Sequence, residues 1–160
     1  MRFYRKHTGK TIAIAAATIA TTMLAACDIE TSDNGDFDGF WHLEQVDTLA
    51  TGGRLDLSNR RVFWGVQAKL ISARDVDVDG NHGYYLRFRQ THDSITTYSP
   101  YKDNWHQDKG DNGGDIPIVD PALLSPYGIN NIEEGFLKER LKGGRMTLRS
   151  KTLRLHFKKF

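Results

Sequence analysis

The residues best placed for chemistry are three aspartates at alternate positions ahead of a glycine. Asp75, Asp77 and Asp79 precede Gly80, which matches the first half of a calcium-binding loop, where alternate side chains supply oxygen ligands and glycine allows a sharp turn. Such a loop ends in a bidentate glutamate at its twelfth position, which here is Leu86. The alternative is a tight turn at Asp79-Gly80, with the intervening valines in a strand. We favour the turn and expect no bound metal. If a metal ion did bind this chain, the three aspartates would be its ligands.

The single cysteine, Cys27, has a context that predicts covalent modification. Four basic residues lie within the first ten positions, an uncharged run fills residues 11–26, and Leu24-Ala25-Ala26 leads directly into the cysteine. This layout predicts a secretory signal over residues 1–26. Small residues before a cysteine resemble the lipobox of bacterial lipoproteins, which implies that Cys27 is lipidated and becomes the first residue of the mature chain. An uncleaved anchor or a soluble export signal is the alternative.

Charge and motifs exclude several classes of function. The chain has 22 Lys and Arg against 20 Asp and Glu, and removal of residues 1–26 would leave 18 basic against 20 acidic residues. We therefore expect no nucleic-acid partner, because affinity for a phosphate backbone depends on excess positive charge. The sequence has no nucleophile elbow, zinc-protease helix, phosphate loop or dinucleotide-binding glycine pattern. We expect neither an enzyme nor a cofactor.

The residues after the cysteine predict a tether and a location. Residues 28–38 (DIETSDNGDFD) contain five acids and no base, which is typical of a disordered segment. Residues 27–38 would then join the lipid anchor to the folded domain, and a multiply acylated cysteine would hold the protein on its membrane. Acidic residues here resemble the surface-export signals of Bacteroidetes lipoproteins, whereas Asp28 in an enterobacterium would suggest the inner membrane. We expect the bacterial cell envelope, at the outer membrane, with surface exposure as one alternative.

The remaining 122 residues, 39–160, predict one all-β domain. Apolar residues recur at every second position, as in half-buried strands. Residues 60–74 are expected to form two strands, with Gly65 at a bend or bulge. About eight short antiparallel strands favour a closed up-and-down barrel, because closure removes exposed sheet edges. A two-sheet β-sandwich is the alternative.

A long insertion interrupts this pattern between Ser99 and Gly128. It holds all four prolines of the chain and a centre rich in glycine and aspartate. Asp120-Pro121 predicts the capped start of a short helix. Long connections of this kind are often lids or binding loops, so one interpretation is that the insertion closes the mouth of the barrel. The other, which we favour, is a mobile insertion whose aromatic residues pack on the barrel wall.

Several short motifs together resemble a known family. Gly39-Phe40-Trp41 is similar to the G-x-W motif of lipocalins, and the lipobox, the acidic tether, residues 61–67 (RVFWGVQ), 123–130 (LLSPYGIN) and 153–160 (LRLHFKKF) accompany it. The combination resembles small lipocalin-like lipoproteins of Bacteroidetes whose role is unassigned. The resemblance implies an eight-stranded barrel with no established ligand. Unlike true lipocalins, this chain ends on a predicted strand and lacks a second cysteine.

Two functions are compatible with this sequence. In the first, which we favour, the barrel binds a small apolar or amphipathic ligand through aromatic side chains: Trp41, Trp64, Tyr84 and Phe88 inside the barrel and Trp105 in the long loop. In the second, the same aromatic residues fill the barrel, and the protein docks an anionic glycan or another envelope protein through its loops or its basic C-terminal strands. Residues 134–160 contain nine basic residues and two acids, which are expected to form a basic outer patch.

Overall fold

The computed structural model describes residues 32–80, 82–104 and 114–160, and residues Ser32–Phe160 form one compact unit. Alternating apolar residues form ten strands: β1 Gly39–Thr48, β2 Arg54–Asp56, β3 Val62–Gln67, β4 Leu70–Asp75, β5 Tyr84–Gln90, β6 Ser94–Lys102, β7 Ile116–Pro117, β8 Glu134–Lys142, β9 Arg145–Arg149 and β10 Leu153–Lys159. Three short helices accompany them: a 3-10 helix at Gly35–Phe37, the α-helix α1 at Val76–Asp79, and a 3-10 helix at Pro121–Tyr127.

The strands form a closed antiparallel barrel, as the sequence predicted. Eight strands, β1, β3, β4, β5, β6, β8, β9 and β10, pair in chain order, and β10 pairs back onto β1 over Trp41–Thr48. The short strands β2 and β7 extend the pairing of β1 and β6. Closure gives every barrel strand two neighbours, so none of the eight is an edge strand. The barrel, and not the sandwich, is therefore the fold.

One local prediction about β3 is wrong. Gly65 does not bend the strand; it stays in register between Phe40 of β1 and Ser72 of β4. The chain reverses instead at Ala68, whose φ is 51°. Because a left-handed backbone is uncommon for a residue with a side chain, composition alone does not mark this turn. The reversal separates β3 from β4 and confirms that residues 60–74 form two strands.

The start of the described chain is packed rather than free. Phe37 in the first 3-10 helix is fully buried, and Asn34 is nearly so. The Asn34 amide donates to the Ala68 carbonyl at 2.6 Å and to the Asp38 carboxylate at 2.7 Å. The expectation of a disordered tether is therefore wrong for residues 32–38. The buried ring of Phe37 and the hydrogen bonds of the Asn34 amide fix these residues to the barrel. Residues 1–31, including Cys27, lie outside the described residues.

The predicted helix in the long insertion is present. Its N-cap is Asp120, whose carboxylate accepts from the Ala122 N–H at 2.9 Å, and Pro121 occupies the first helical position. It ends at Gly128, which adopts a left-handed conformation with φ 80°. Leu124 and Tyr127 are buried, so one face of this helix belongs to the core, as expected for a segment that closes the barrel. The bends at residues 131–133 lead directly into β8.

No helix within the described residues is long and apolar enough to cross a membrane.

Candidate functional site

The interior of the barrel was the first predicted site, and its aromatic residues are buried. Trp41 and Trp64 are 1% and 0% exposed, and Phe88 and Tyr84 are 3% and 9% exposed. They belong to one continuous hydrophobic core. Trp105, the fifth candidate, lies outside the described residues. The structure therefore places four of the five predicted residues inside the barrel, as expected. Trp41 and Trp64 lie directly opposite each other on β1 and β3, but their hydrogen-bond partners lie at the two ends of the barrel.

Trp41 and Phe88 lie at the lower end, where β1 begins. The Trp41 indole N–H donates to the Phe37 carbonyl at 2.8 Å, and the Phe88 ring meets the Phe37 ring edge to face with centroids 5.2 Å apart. Lys159 lies over the outer face of this cluster, with its Nζ 5.1 Å from the Trp41 ring centroid. We call the segment 34–37 the lower plug, because its buried Phe37 closes this end.

The side chains of Trp64 and Tyr84 contact the segment that closes the upper end, where β1 finishes. The Trp64 indole N–H donates to the Tyr127 carbonyl at 3.0 Å, and the Tyr84 and Tyr127 rings are 5.4 Å apart. The Tyr127 hydroxyl donates to the Asp79 carboxylate. Burial, together with this hydrogen bond, raises the pKa of Tyr127. We call residues 121–129 the upper plug, because Leu124, Tyr127 and Ile129 are all buried at this end.

The space between the plugs is occupied by side chains. The largest inward residues, including Phe136, Phe157, Met146, Leu43 and Leu86, have at most 1% of their surface exposed. A side chain that lined a cavity roomy enough for water would keep surface that water could touch. The Trp64 ring instead meets the rings of Phe136 and Phe157, with centroids 5.9 and 5.1 Å away. The described interior is thus packed like an ordinary protein core.

The aspartate motif forms a helix start. Val76–Asp79 is a single α-helical turn, and the carboxylate of Asp75 caps it by accepting from the Asp77 N–H at 3.1 Å. The expectation that the valines belong to a strand is wrong, because this cap stabilises a helical turn instead.

The three carboxylates also have separate protein partners. Asp75 pairs with Arg60 and Asp77 with Arg61, while Asp79 accepts from the Asp75 N–H at 2.7 Å. The hydrogen bond from Arg61 lowers the pKa of Asp77. Among the described residues, no cluster of three or more His, Cys, Asp or Glu side chains could hold a metal ion. The motif's carboxylates serve to join β3, β4 and the upper plug.

The C-terminal strands carry a basic outer face. Arg145 lies directly opposite Lys142 on β8 and Lys158 on β10, so three cations form one row across three strands. Glu44 is the acid that Arg145 contacts, at 2.7 Å. We define the basic face by the outward residues Arg140, Lys142, Arg145, Arg149, Arg154 and Lys158.

Acidic residues neutralise only part of the positive charge of the basic face. Glu139 contacts both Arg149 and Arg154 at 2.7 Å, and hydrogen bonding to Arg154 lowers the pKa of Glu139. Glu134, the other acid in this segment, is buried and accepts from the Asn131 N–H at 3.2 Å, at the upper end of the barrel. Lys159 was predicted to belong to the basic outer patch, but it lies against Trp41 and not on the outer wall.

The outer wall of β1, β3, β4 and β5 carries a feature that sequence patterns missed. A groove of about 780 Å³ lies there, lined by residues that include Phe40, Gly65, Ser72, Arg74 and Tyr85. Beside it, Phe40 stacks on Phe63 with ring centroids 4.5 Å apart, and the exposed Phe160 meets both rings edge to face. Only strand register brings these residues together, so a pattern read along one strand does not reveal them.

The sequence matches the lipocalin-like domain family over residues 22–160. The chain therefore belongs to the lipocalin-like domain family, which agrees with the closed eight-stranded barrel. This barrel is an architecture of the ligand-binding type, and lipocalin-like folds are generally not those of enzymes. No curated protein matches the sequence.

Two solved structures share the fold. A lipocalin-like protein from Bacteroides uniformis is 21% identical with a TM-score of 0.55, and the match covers 79% of this chain and 100% of that one. An uncharacterized protein from Bacteroides eggerthii is 19% identical with a TM-score of 0.51, and the match covers 77% of this chain and 98% of that one. At these identities the similarity concerns the fold, and the suspected resemblance to lipocalin-like proteins of this bacterial group is confirmed.

Proposed function

We propose that this chain is a non-enzymatic lipoprotein of the bacterial cell envelope, anchored to the outer membrane through Cys27, which binds its partner on the outside of a filled barrel. The observation that carries the proposal is the packed interior: the largest inward side chains have almost no exposed surface. A protein whose interior is already occupied needs no further ligand to complete its core. Its outer wall, in contrast, carries uncompensated charge.

The basic face is the proposed docking surface, and its partner is an anionic component of the envelope. Like charges that lie directly opposite on neighbouring strands destabilise a sheet, and Lys142, Arg145 and Lys158 form such a row with Glu44 as the acid beside it. An anionic glycan or an acidic protein surface would relieve this repulsion and gain charge-assisted hydrogen bonds. Fixing the barrel to a membrane would bring this face within reach of such components.

The anchor is tested by labelling. Cells that express the full chain are grown with radioactive palmitate, beside cells that express Cys27→Ser. We expect label in the first polypeptide and none in the second, together with release of Cys27→Ser from the membrane fraction. An unlabelled polypeptide, or a mature protein whose first residue is not Cys27, would contradict lipidation.

The docking surface is tested by charge reversal in the full chain. Lys142→Glu with Lys158→Glu is compared with Lys69→Glu and Lys102→Glu, which reverse two exposed charges away from the basic face. After chemical cross-linking in intact envelopes, the anionic partner should be lost from the first pair and kept by the second. Equal recovery in both pairs would exclude the basic face as the docking surface.

A second candidate is a small apolar ligand bound inside the barrel, which the ligand-binding architecture favours. It would require the upper plug to open, since Tyr127 and Leu124 occupy that end. Native mass spectrometry of protein purified from its own envelope separates the two candidates. The first predicts that any bound small molecule is retained in Trp64→Phe. A bound small molecule that is lost in Trp64→Phe would favour the second.

A further inference from the structure

The groove on the outer wall is built from one row of residues that crosses four strands. Phe40 of β1 is opposite Gly65 of β3, Gly65 is opposite Ser72 of β4, and Ser72 is opposite Tyr85 of β5. Adjacent strands are about 4.8 Å apart, so this row is about 14 Å wide. The rings of Phe40 and Tyr85 are therefore at the two ends of this row, and its two smallest residues, Gly65 and Ser72, lie between them.

Gly65 keeps this floor open. A Cβ atom at this position would lie 3.3 Å from Cδ2 of the Phe40 ring, which leans over Gly65, so any side chain here would push this ring into the groove. The backbone of Gly65 is in ordinary strand conformation, so no special dihedral angle requires glycine. The volume of about 780 Å³ is within the range of roughly 300–1,000 Å³ typical of small-molecule sites.

A single uncompensated cation lies in this groove. Arg74 follows Ser72 on the same face of β4, and its Nη2 donates to the Ser72 hydroxyl at 3.1 Å. Its Nε is buried and has no hydrogen-bond partner. Among the described residues, no carboxylate lies within ion-pair distance of Arg74, whereas Arg60 and Arg61 on the same side of the barrel each pair with an aspartate.

Among the described residues that line the groove, Asp38 is the one acid, and one of its oxygens already has two protein donors. The Asp38 carboxylate accepts from the Ser32 hydroxyl at 2.8 Å and from the Asn34 amide at 2.7 Å. Asp38 and Arg74 belong to different ends of the groove, with the partly exposed Leu70 on the Asp38 side. The groove thus presents an apolar trough with a positive group at one end, which is complementary to an amphiphile with a negative head.

We infer that this groove binds a small carboxylic acid with an apolar body. The carboxylate pairs with the guanidinium of Arg74, whose fork of donors matches the two carboxylate oxygens. The apolar body lies over Gly65 and Ser72 between the rings of Phe40 and Tyr85. This inference goes beyond the proposed function, and it shares with that function only the placement of binding on the outside of the barrel.

The test uses residues 32–160, because this compact unit contains every barrel strand and the whole described core. Decanoate and decyltrimethylammonium, which share an apolar chain and carry opposite charges, are titrated below their micelle concentrations and followed by NMR. Decanoate should bind saturably and shift the Gly65 amide and the Arg74 Nε–H signals, and the cation should bind more weakly. Equal binding of both probes, or no saturable binding of decanoate, would overturn the inference.

Two pairs of variants locate the site. Arg74→Gln should weaken decanoate binding about tenfold, and Arg74→Glu should reverse the preference toward the cation, whereas Lys151→Glu, exposed in the turn between β9 and β10, should change neither. Gly65→Val should weaken both probes, whereas Gly135→Val, where a side chain meets open space, should weaken neither. Equal effects within either pair would place the bound probe elsewhere.

Two further outcomes distinguish binding in the groove from occupation by the chain itself and from docking at the basic face. Decanoate binding by residues 32–160 but not by the full mature chain would show that the chain's own N-terminal segment occupies the groove, which would overturn a free ligand. Failure of decanoate to bind while Lys142→Glu with Lys158→Glu still abolishes docking would reject the groove and leave the proposed function intact.

Discussion

The two ends of the barrel are closed by the same kind of contact, but the contacting residues are close in the chain at one end and distant at the other. At each end a 3-10 helix offers a backbone carbonyl to a buried tryptophan: Phe37 receives the indole N–H of Trp41, and Tyr127 receives that of Trp64. The lower pair is four residues apart in the chain, and the upper pair is 63 residues apart. The tryptophan contact of the lower plug is therefore local, whereas that of the upper plug requires the barrel to form around it.

This difference changes what each end depends on. The lower plug needs the ring of Phe88 and the hydrogen bond from the Asn34 amide to the Ala68 carbonyl, between β3 and β4. The upper plug needs Asp79 from the end of α1, Tyr84 from β5 and the αL conformation of Gly128. Both plugs depend on distant strands, but only the lower one has its tryptophan beside it in the chain, so the upper plug should open more readily than the lower one. The following substitutions test this contrast, in order of decreasing effect.

The largest effect is expected for loss of either tryptophan. Trp64→Ala and Trp41→Ala should each lower the free energy of unfolding by about 3–5 kcal/mol, because each removes a fully buried ring and leaves a cavity. Urea denaturation measures both. Hydrogen exchange should then differ: Trp64→Ala should release the amides of residues 121–129, and Trp41→Ala those of 35–38. If either variant released both plugs equally, the ends would not be independent.

Gly128→Ala should come next. A Cβ atom at Gly128 would lie 2.6 Å from Cδ2 of Leu155, and its φ of +80° is unfavourable for alanine. We expect a loss of about 2–4 kcal/mol, from left-handed strain and overpacking together. Gly143→Ala is the matched control: its φ is +61°, but nothing lies within 4 Å of the added atom, so it should lose only about 1–2 kcal/mol. Equal losses would mean that the upper plug tolerates displacement.

Tyr127→Phe should cost about 1–3 kcal/mol at neutral pH, since it removes a hydrogen bond to a carboxylate. The folded pKa of Tyr127 is raised by burial and by Asp79, above an unfolded value of about 10. Its contribution to stability is therefore fully present below about pH 10 and is lost as the pH rises through the folded pKa. Urea denaturation at pH 8 and above pH 10 should show the two proteins converging. A constant difference would rule out this linkage.

The smallest effect is expected at the lower end. Lys159→Met keeps the aliphatic stem but removes the charge over the Trp41 ring, which should cost about 0.5–1 kcal/mol. Lys158→Met, one residue earlier and on the outer wall, should be neutral or slightly stabilising because it relieves repulsion with Arg145. Thermal unfolding of the two variants provides the measurement. A larger loss in Lys158→Met would contradict the placement of Lys159.

The contrast between the ends also shows which parts of the site a sequence can predict. The motif Gly39-Phe40-Trp41 was visible as a resemblance, but the hydrogen-bond partner of Trp41, Phe37, lies in the segment predicted to be disordered. The helix of the upper plug was visible from Asp120-Pro121, but its carbonyl partner Trp64 and its hydroxyl partner Asp79 were not. The four interior aromatic residues were correctly placed inside, yet the ends at which their partners lie and the packing around them depend on distances between strands.

The outer surface was the least predictable part. The row Phe40, Gly65, Ser72 and Tyr85 comes from four strands, and a shift of one residue in any pairing would turn a member inward. The aspartates after β4 had the spacing of a calcium loop, but their arginine partners come from the preceding strand connection. The ion pairs of these aspartates therefore depend on arginines that lie outside the local motif.

Alternation of apolar residues was enough to specify strands, their number and an inward face, since a period of two follows from backbone geometry alone. A local signal likewise specified the Asp120 cap. Whether the barrel is filled, which cations lie opposite one another and which arginine lacks a partner all depend on register and on the volume that side chains occupy together. These are properties of pairs of residues that are distant in the chain, so only the closed barrel establishes them.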